Sequence, residues 1–191
     1  MRRRRPFRSW ILLLVSLAAL GYFGGRWAIS IYYPLEYREI IFARAAEFQL
    51  SPYLVASVIR NESGFRPNAT SSQGARGLMQ IMPETGEWAA RQLDLPYSQD
   101  LLYDPDYNVR LGCWYLSELK QEFAGELVLM LAAYNGGRGN VQKWLNNRQW
   151  TGEHHTLEQI PFQETRQYVS KVLRDYGRYE RIYTNPDQRE R

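Results

Sequence analysis

The sequence predicts an all-α protein in which one apolar N-terminal helix precedes a compact helical domain. Apolar residues recur every three to four positions through most of the chain, which is the periodicity of amphipathic helices. No segment alternates apolar and polar residues clearly enough to predict a pair of strands. One uncharged stretch, from Ser9 to Gly25, stands apart from this pattern and is interpreted as a membrane segment.

The composition supports one folded domain and argues against a nucleic-acid-binding protein. The 191-residue chain is 45% hydrophobic and 14% aromatic, which is ample for a core. Its net charge of +4 comes from the N-terminal tip: without five arginines of the first eight residues, nineteen basic residues face twenty acidic ones. The body is therefore nearly neutral, and no nucleic acid is expected among the partners.

The uncharged stretch is long enough for a single membrane crossing. Its seventeen residues would extend about 25 Å as a helix, against a hydrocarbon core of about 30 Å. Trp27, Ile29 and Ile31 can extend the span if the Arg26 side chain reaches the interface. A cleaved signal peptide has a similar charged start and apolar run, and it is the alternative interpretation.

The arginine tip predicts the orientation in the membrane. Positive residues stay on the cytoplasmic side, so the chain after Tyr33 is expected in the periplasm or on the outer face of the cytoplasmic membrane. We therefore expect residues 1–33 to form a cytoplasmic tip and signal anchor, residues 34–185 the extracytoplasmic domain, and residues 186–191 a polar tail.

The helices of the body are predicted from apolar periodicity and from start and stop residues. Ser51 and Pro52 form a start signal, because Pro is favoured in the first turn of a helix. Ser63 and Gly64 form a stop signal, because Gly is the usual residue just past a helix end. The predicted helices cover residues 40–48, 52–62, 83–93, 108–123, 126–134, 140–145 and 164–183.

The histidines and the cysteine are not expected to form a site. His154 and His155 lie in a segment of weak periodicity, residues 147–161, and have no third ligand spaced nearby, so we interpret them as exposed loop residues. Cys113 is the only cysteine and cannot form an internal disulfide, so we expect a small buried side chain on a helix. No metal site is predicted.

Glu62 is the candidate catalytic residue. It lies four residues after Val58 and three after Ile59, which places its carboxyl on the core-facing side of the helix. Partial burial and the negative end of the helix dipole both disfavour the charged carboxylate. Both effects predict a raised pKa, which suits a general acid that must hold its proton near neutral pH.

The segment after Glu62 has an unusual composition. Residues 68–83 combine several glycines and serines with the dense apolar run Gly-Leu-Met-Gln-Ile-Met-Pro at 77–83. Such a segment is too rich in glycine for a helix and too apolar for an ordinary exposed loop. We predict a packed turn that lines a cleft. Leu78 and Met79 are expected to belong to the core.

Three motifs in order then make the sequence recognisable. Glu62-Ser63 with residues 67–83 is the first, Ala-Tyr-Asn-Gly-Gly at 133–137 is the second, and Ile-Pro-Phe-Gln-Glu-Thr-Arg-Gln-Tyr-Val at 160–169 is the third. Together they resemble the motifs of soluble-lytic-transglycosylase-type domains, relatives of goose-type lysozyme, from about Ile40 to Tyr179. Ser72, where the family often has Pro, and Gly136, where Ala is common, depart from it without touching the chemistry.

The resemblance implies a lysozyme-like fold and a peptidoglycan lytic transglycosylase. Such an enzyme cleaves the β-1,4 bond between N-acetylmuramic acid and N-acetylglucosamine and forms a 1,6-anhydro end. The resemblance also implies that Glu62 acts first as an acid and then as a base, without a metal or cofactor. Tyr168 either completes the site or braces its helix. The resemblance assigns glycan binding to Ser71, Gln80, Met82, Tyr134, Asn135 and Glu164.

Two alternatives remain open from the sequence. A hydrolytic muramidase of the same fold would use water in place of the sugar C6 hydroxyl, and a wall-binding scaffold of an envelope complex would need no cleavage.

Glu84 and Glu87, the nearest downstream acids, are assigned to a helix start, where carboxylates favour the positive end of the dipole. The expected partners are glycan strands and the membrane, and the protein is expected to be a monomer.

Overall fold

The computed structural model describes residues 13–17, 20–21, 24–25 and 32–184. These residues form two compact units, one ending at Glu36 and one beginning at Tyr37. In the first unit, the residues described between 13 and 25 are helical. None of the helices within the described ranges combines the length and the apolar character that a bilayer crossing requires. Residues 9–12, 18–19 and 22–23 of the predicted membrane segment lie outside the described residues, as do the arginine tip and the polar tail.

The second unit is helical, as predicted. Between residues 37 and 184, seven α-helices are joined by loops, and two short 3₁₀ helices lie at Gln99–Tyr103 and His154–Gln159. Within the described residues, β-structure is limited to isolated bridges that pair Arg76 with Thr70 and Ile81. The α-helices are α1 (Arg38–Glu47), α2 (Pro52–Glu62), α3 (Pro83–Gln92), α4 (Pro105–Glu122), α5 (Leu127–Gly136), α6 (Arg138–Asn146) and α7 (Gln163–Tyr183).

The prediction was wrong at one helix start and missed both 3₁₀ helices. Helix α4 begins at Pro105, three residues before the predicted start, because the Asp104 carboxylate caps it by accepting from the Tyr107 N–H at 2.8 Å. The second 3₁₀ helix falls within the segment interpreted as a loop, and its apolar periodicity is too weak to reveal it. His154 and His155 are exposed there, as expected. Cys113 is fully buried on α4, which confirms the interpretation of its role.

Helix α2 lies at the centre of the domain. Its residues Leu54 to Ile59 are all buried, so the helix is covered on every side through its middle turns. Helix α7 packs along it and also contacts α5. The buried positions of α7 recur at helical spacing, so one face of a long polar helix is committed to the core. This packing places Glu62, the last residue of α2, at the boundary between the core and the surface of the domain.

Asn108 holds the predicted turn against α4. Its fully buried side chain accepts from the Met79 N–H at 2.8 Å and donates to the carbonyls of Arg76 at 2.9 Å and Leu102 at 2.8 Å. Gly77 has a φ of 78° and lies so close to Leu102 and Asn108 that a Cβ would collide with both. The expectation that Leu78 and Met79 are core residues is confirmed, since neither is exposed. The turn is therefore part of the core.

Replacement of Asn108 by Ala should destabilise the domain strongly. The substitution leaves the Met79 N–H and the Leu102 carbonyl without these partners, whereas the Arg76 carbonyl still accepts from the Ile81 N–H at 3.0 Å. The loss is at least about 2 kcal/mol at 1–3 kcal/mol per group. Urea unfolding of the full chain measures the loss. Ser117→Ala is the matched control, because the Ser117 hydroxyl bonds only the Trp114 carbonyl of its own helix. Equal losses for the two variants would contradict the role given to Asn108.

Candidate active site

Glu62 lies where α2 stops and the packed turn begins. Gly64, with a φ of 59°, ends the helix and donates to the carbonyls of Ile59 and Arg60 at 3.2 Å each. The buried Ser63 hydroxyl donates to the Leu78 carbonyl at 2.8 Å and so ties the helix end to the turn. The half-buried Glu62 side chain is thereby held between the helix end and the segment that follows it.

The environment of Glu62 favours the protonated acid. The pKa of Glu62 is raised from 4.5 to about 7, with burial as the largest cause and the nearby charge of Glu164 acting in the same direction. Hydrogen bonding by Tyr168 acts in the opposite direction. The predicted direction of the pKa is confirmed, and burial is its main cause. Near neutral pH a substantial fraction of Glu62 therefore carries a proton.

Two tyrosine side chains from different helices face Glu62. The Tyr134 hydroxyl donates to the Met79 carbonyl at 2.8 Å, which fixes the ring of this α5 residue against the turn. Tyr168 on α7 is buried, and its hydroxyl makes no hydrogen bond of good geometry with the described residues. It nevertheless lies close enough to Glu62 to affect that carboxyl. Burial raises the pKa of both phenols well above the usual value, so both remain neutral donors.

The turn uses much of its own polar capacity. The Ser71 oxygen accepts from the Ala75 N–H at 3.0 Å and the Gln73 N–H at 3.3 Å, which leaves its hydroxyl hydrogen for a ligand. The Gln80 amide donates to the carbonyls of Ala69 at 3.1 Å and Gly77 at 2.8 Å. Both amide hydrogens of Gln80 are thus committed, and only its side-chain oxygen can serve a ligand.

Asn135 is oriented by a bond between α5 and α7. Its side-chain oxygen accepts from the Thr165 hydroxyl at 2.8 Å, so its amide hydrogens are presented away from Thr165. The glycine at 136 allows this approach, because a Cβ there would lie 2.8 Å from the same hydroxyl. Glu164 is exposed in the first turn of α7. The two helices thus place an amide and a carboxylate beside the tyrosines.

The structure brings part of the predicted set together around the acid. Tyr168 and Glu164 lie close enough to Glu62 to change its pKa, and Glu62 in turn affects the pKa of Tyr134. Asn135 follows Tyr134 on α5, and the remaining residues lie on the turn that packs beneath Tyr134. These are Ser71 and Gln80 within the turn and Met82, half-buried, at the point where α3 begins.

Three polar residues behind the site escaped the sequence interpretation. Asn108 holds the turn, and Asn61 donates to the Asp175 carboxylate at 3.1 Å. An Asn or Asp at a position that helical periodicity places in the core is the signal that could have revealed Asn108 and Asp175. The described ranges contain no group of three or more His, Cys, Asp or Glu side chains placed to hold a metal ion.

Known proteins share this arrangement of sequence and fold. The family model described as "Transglycosylase SLT domain" matches residues 39–157. The soluble lytic murein transglycosylase of Escherichia coli K12 is 34% identical over 154 residues, which cover 79% of this chain and 24% of that protein. The membrane-bound lytic murein transglycosylase D of the same strain is 34% identical over 113 residues, covering 59% and 25%.

A solved structure gives the same result. An inactive mutant of the lytic transglycosylase Slt from Pseudomonas aeruginosa superposes with a TM-score of 0.75 at 36% identity, covering 83% of this chain and 26% of that one. The expected lysozyme-like helical fold is confirmed by this likeness. The chain spans about a quarter of the length of the curated relatives it matches.

The raised pKa of Glu62 predicts a pH-dependent loss of stability. The folded state holds this proton more tightly than the unfolded chain, so the stabilisation is complete below pH 4.5 and is lost as the pH rises to about 7. At about 1.4 kcal/mol per pKa unit, the loss is at most roughly 3 kcal/mol. Glu62→Gln cannot ionise and should lack this component. Urea unfolding of both proteins between pH 4 and 8 measures the difference, and parallel curves would contradict the burial argument.

Proposed function

The chain belongs to the transglycosylase SLT domain family, and we propose that its helical domain is a peptidoglycan lytic transglycosylase in which Glu62 is the catalytic residue. The observation that carries this proposal is a half-buried carboxyl with a pKa of about 7 that faces two neutral tyrosine hydroxyls. A group that is protonated part of the time at neutral pH can both give and take a proton, which a one-carboxylate mechanism requires.

In the proposed first step, Glu62 acts as a general acid. Its proton passes to the oxygen that links N-acetylmuramic acid to N-acetylglucosamine, and the bond from muramic acid C1 to that oxygen breaks. Burial supports this step because it keeps a substantial fraction of Glu62 protonated near neutral pH, where an ordinary exposed carboxyl would already have lost its proton. The positive charge that develops at C1 is stabilised by the substrate's own N-acetyl group.

In the proposed second step, the Glu62 carboxylate acts as a base. It removes the proton of the muramic acid C6 hydroxyl, whose oxygen bonds to C1 and closes the 1,6-anhydro ring. Glu62 ends the cycle protonated, as it began, and no water is consumed. The nearby Tyr168 hydroxyl acts to lower the pKa of Glu62, so it favours the charged carboxylate that the first step leaves.

The glycan-binding set is proposed with a division of roles. Tyr134 offers its ring, since its hydroxyl is engaged by Met79, and Met82 offers an adaptable apolar contact. Asn135 offers amide hydrogens to an acetamido oxygen, because Thr165 occupies its own oxygen. The Ser71 hydroxyl, the Gln80 side-chain oxygen and the exposed Glu164 carboxylate complete the set.

We also propose that residues 1–33 anchor the domain to the cytoplasmic membrane. The arginine tip and the seventeen uncharged residues after it support this location, with residues 34–185 on the extracytoplasmic side and residues 186–191 as a tail. The protein is proposed to act there as a monomer on glycan strands. Extraction of membranes with carbonate, which releases a cleaved domain but not an anchored one, tests the assignment.

Glu62→Gln should abolish glycan cleavage while the domain stays folded. The amide keeps the size of the side chain but holds no transferable proton, and loss of a general acid costs at least about a hundredfold in rate. Mass spectrometry of digested sacculi gives the products: 1,6-anhydro ends support a transglycosylase, and reducing ends alone would assign a muramidase. Glu87→Gln is the control, because Glu87 is exposed and paired with Arg91 at 3.0 Å. Retained cleavage in the Glu62 variant would overturn its assignment as the catalytic residue, and an absence of cleavage by the wild type would favour the wall-binding alternative.

Two further substitutions should shift the pH profile in opposite directions. The rate requires protonated Glu62, so kcat/KM should fall as the pH rises past about 7. Tyr168→Phe removes a nearby hydroxyl that lowers the pKa of Glu62 and should move this limb to higher pH. Glu164→Gln removes a charge that raises the pKa and should move the limb to lower pH.

The two shifts are measured as kcat/KM against pH on purified sacculi, with the wild type in parallel. The two variants change the pKa of the same carboxyl in opposite directions. If this limb moved in the same direction in both variants, the limb would not report the titration of Glu62.

A further inference from the structure

Asp175 is a buried carboxylate that the proposed reaction does not use. It lies on α7 with 4% of its surface exposed, and it is the one charged residue among the buried side chains of the described chain. A buried charge is costly to keep, and apolar residues of similar volume often replace a buried ion pair without loss of stability. Net stabilisation is therefore not a sufficient reason for a carboxylate at this position.

The contacts of Asp175 lead directly to the catalytic end of α2. Its Oδ2 accepts from the Asn61 amide at 3.1 Å and pairs with the Arg60 Nε at 3.3 Å. Both residues belong to the last turn of α2, immediately before Glu62. The second hydrogen of the Asn61 amide is bonded to the Ser57 carbonyl at 2.8 Å, so the amide orientation is fixed. On its own helix, the Oδ1 of Asp175 lies 3.4 Å from the Arg174 Nε.

Asp175 shares a helix face with the tyrosine that meets Glu62. Tyr168 precedes it by seven residues, which is about two helical turns, and both side chains are buried. The two helices are antiparallel, since Tyr53 near the start of α2 donates to the carbonyl of Tyr183 at the end of α7 at 3.1 Å. A slip of α7 by one turn, about 5.4 Å, would separate Tyr168 from Glu62 and break both bonds from α2.

We propose that Asp175 is a positioning residue that sets the register of α7 against α2, and thereby holds Tyr168 and Glu164 at Glu62. Apolar packing between two helices tolerates several registers, whereas two directed bonds to Arg60 and Asn61 are satisfied in only one. This inference rests on the proposed function only for its kinetic test. The groups that face Glu62 are Tyr134, Tyr168 and Glu164.

The test compares Asp175→Asn with Val172→Ala in the full chain. Asn keeps the volume but loses the charge, and Val172 is a fully buried residue on α7, one turn from Asp175. For the Asp175 variant we expect kcat on sacculi to fall about tenfold, which is about 1.4 kcal/mol in the barrier. KM should stay within about twofold, because the glycan contacts themselves are unchanged. For Val172→Ala we expect a lower Tm with kcat retained.

A second measurement does not depend on activity. The pKa of Glu62, followed by NMR of ¹³C-labelled glutamate carboxyls, should move toward its ordinary value in Asp175→Asn, because loosened register admits water to a buried group. It should stay unchanged in Val172→Ala. If the wild type releases no glycan products, the proposed function fails, and this pKa alone decides the role of Asp175.

A double variant addresses folding. Arg60→Leu with Asp175→Leu replaces the ion pair by apolar side chains and should keep the wild-type Tm while losing activity to a similar extent. The proposal is overturned if this variant is stable and fully active, if Asp175→Asn matches Val172→Ala in kcat and in the pKa of Glu62, or if both Asp175 variants fail to fold, since the residue would then act on stability alone.

Discussion

The protonation of one side chain at the end of a buried helix is the constraint on which the site depends. Helix α2 is enclosed through its middle turns, and Glu62 is its half-buried last residue, so the carboxyl lies at the boundary of the core. A position further inside would exclude substrate, and an exposed position would leave an ordinary acid. The helix length and the stop at Ser63 and Gly64 therefore determine the chemistry as much as the identity of Glu62 does.

Three hydrogen bonds hold the surroundings of this carboxyl in place. Ser63 ties the helix end to Leu78, Asn108 ties Met79 to α4, and Tyr134 ties Met79 to α5. Each bond uses a backbone group of the turn, so the turn has little freedom to rearrange when a glycan arrives. Such prior organisation reduces the entropy lost on binding, and it keeps the polar groups that remain available in fixed directions.

Local sequence was sufficient for much of the fold and for the central residue. The start at Pro52, the stop at Gly64 and the spacing of Val58, Ile59 and Glu62 are local features, and they correctly placed Glu62 at the end of helix α2. The cap of α4 by Asp104 was overlooked, although the Asp104-Pro105 pair is a recognisable start signal. The role of Asn108 could not be read, because its three partners lie six to thirty-two positions away. The commitment of both Gln80 hydrogens within the turn was hidden for a similar reason, since it depends on the exact path of the loop.

The burial of Cys113 determines when the chain can form a disulfide. Cys113 is fully enclosed on α4, and burial raises the pKa of its thiol, so in the folded domain both access to oxidants and formation of the reactive thiolate are suppressed. The chain has no second cysteine, so any disulfide it forms must join two molecules. Covalent dimers would therefore form only from chains in which Cys113 is accessible, either before folding is complete or after unfolding.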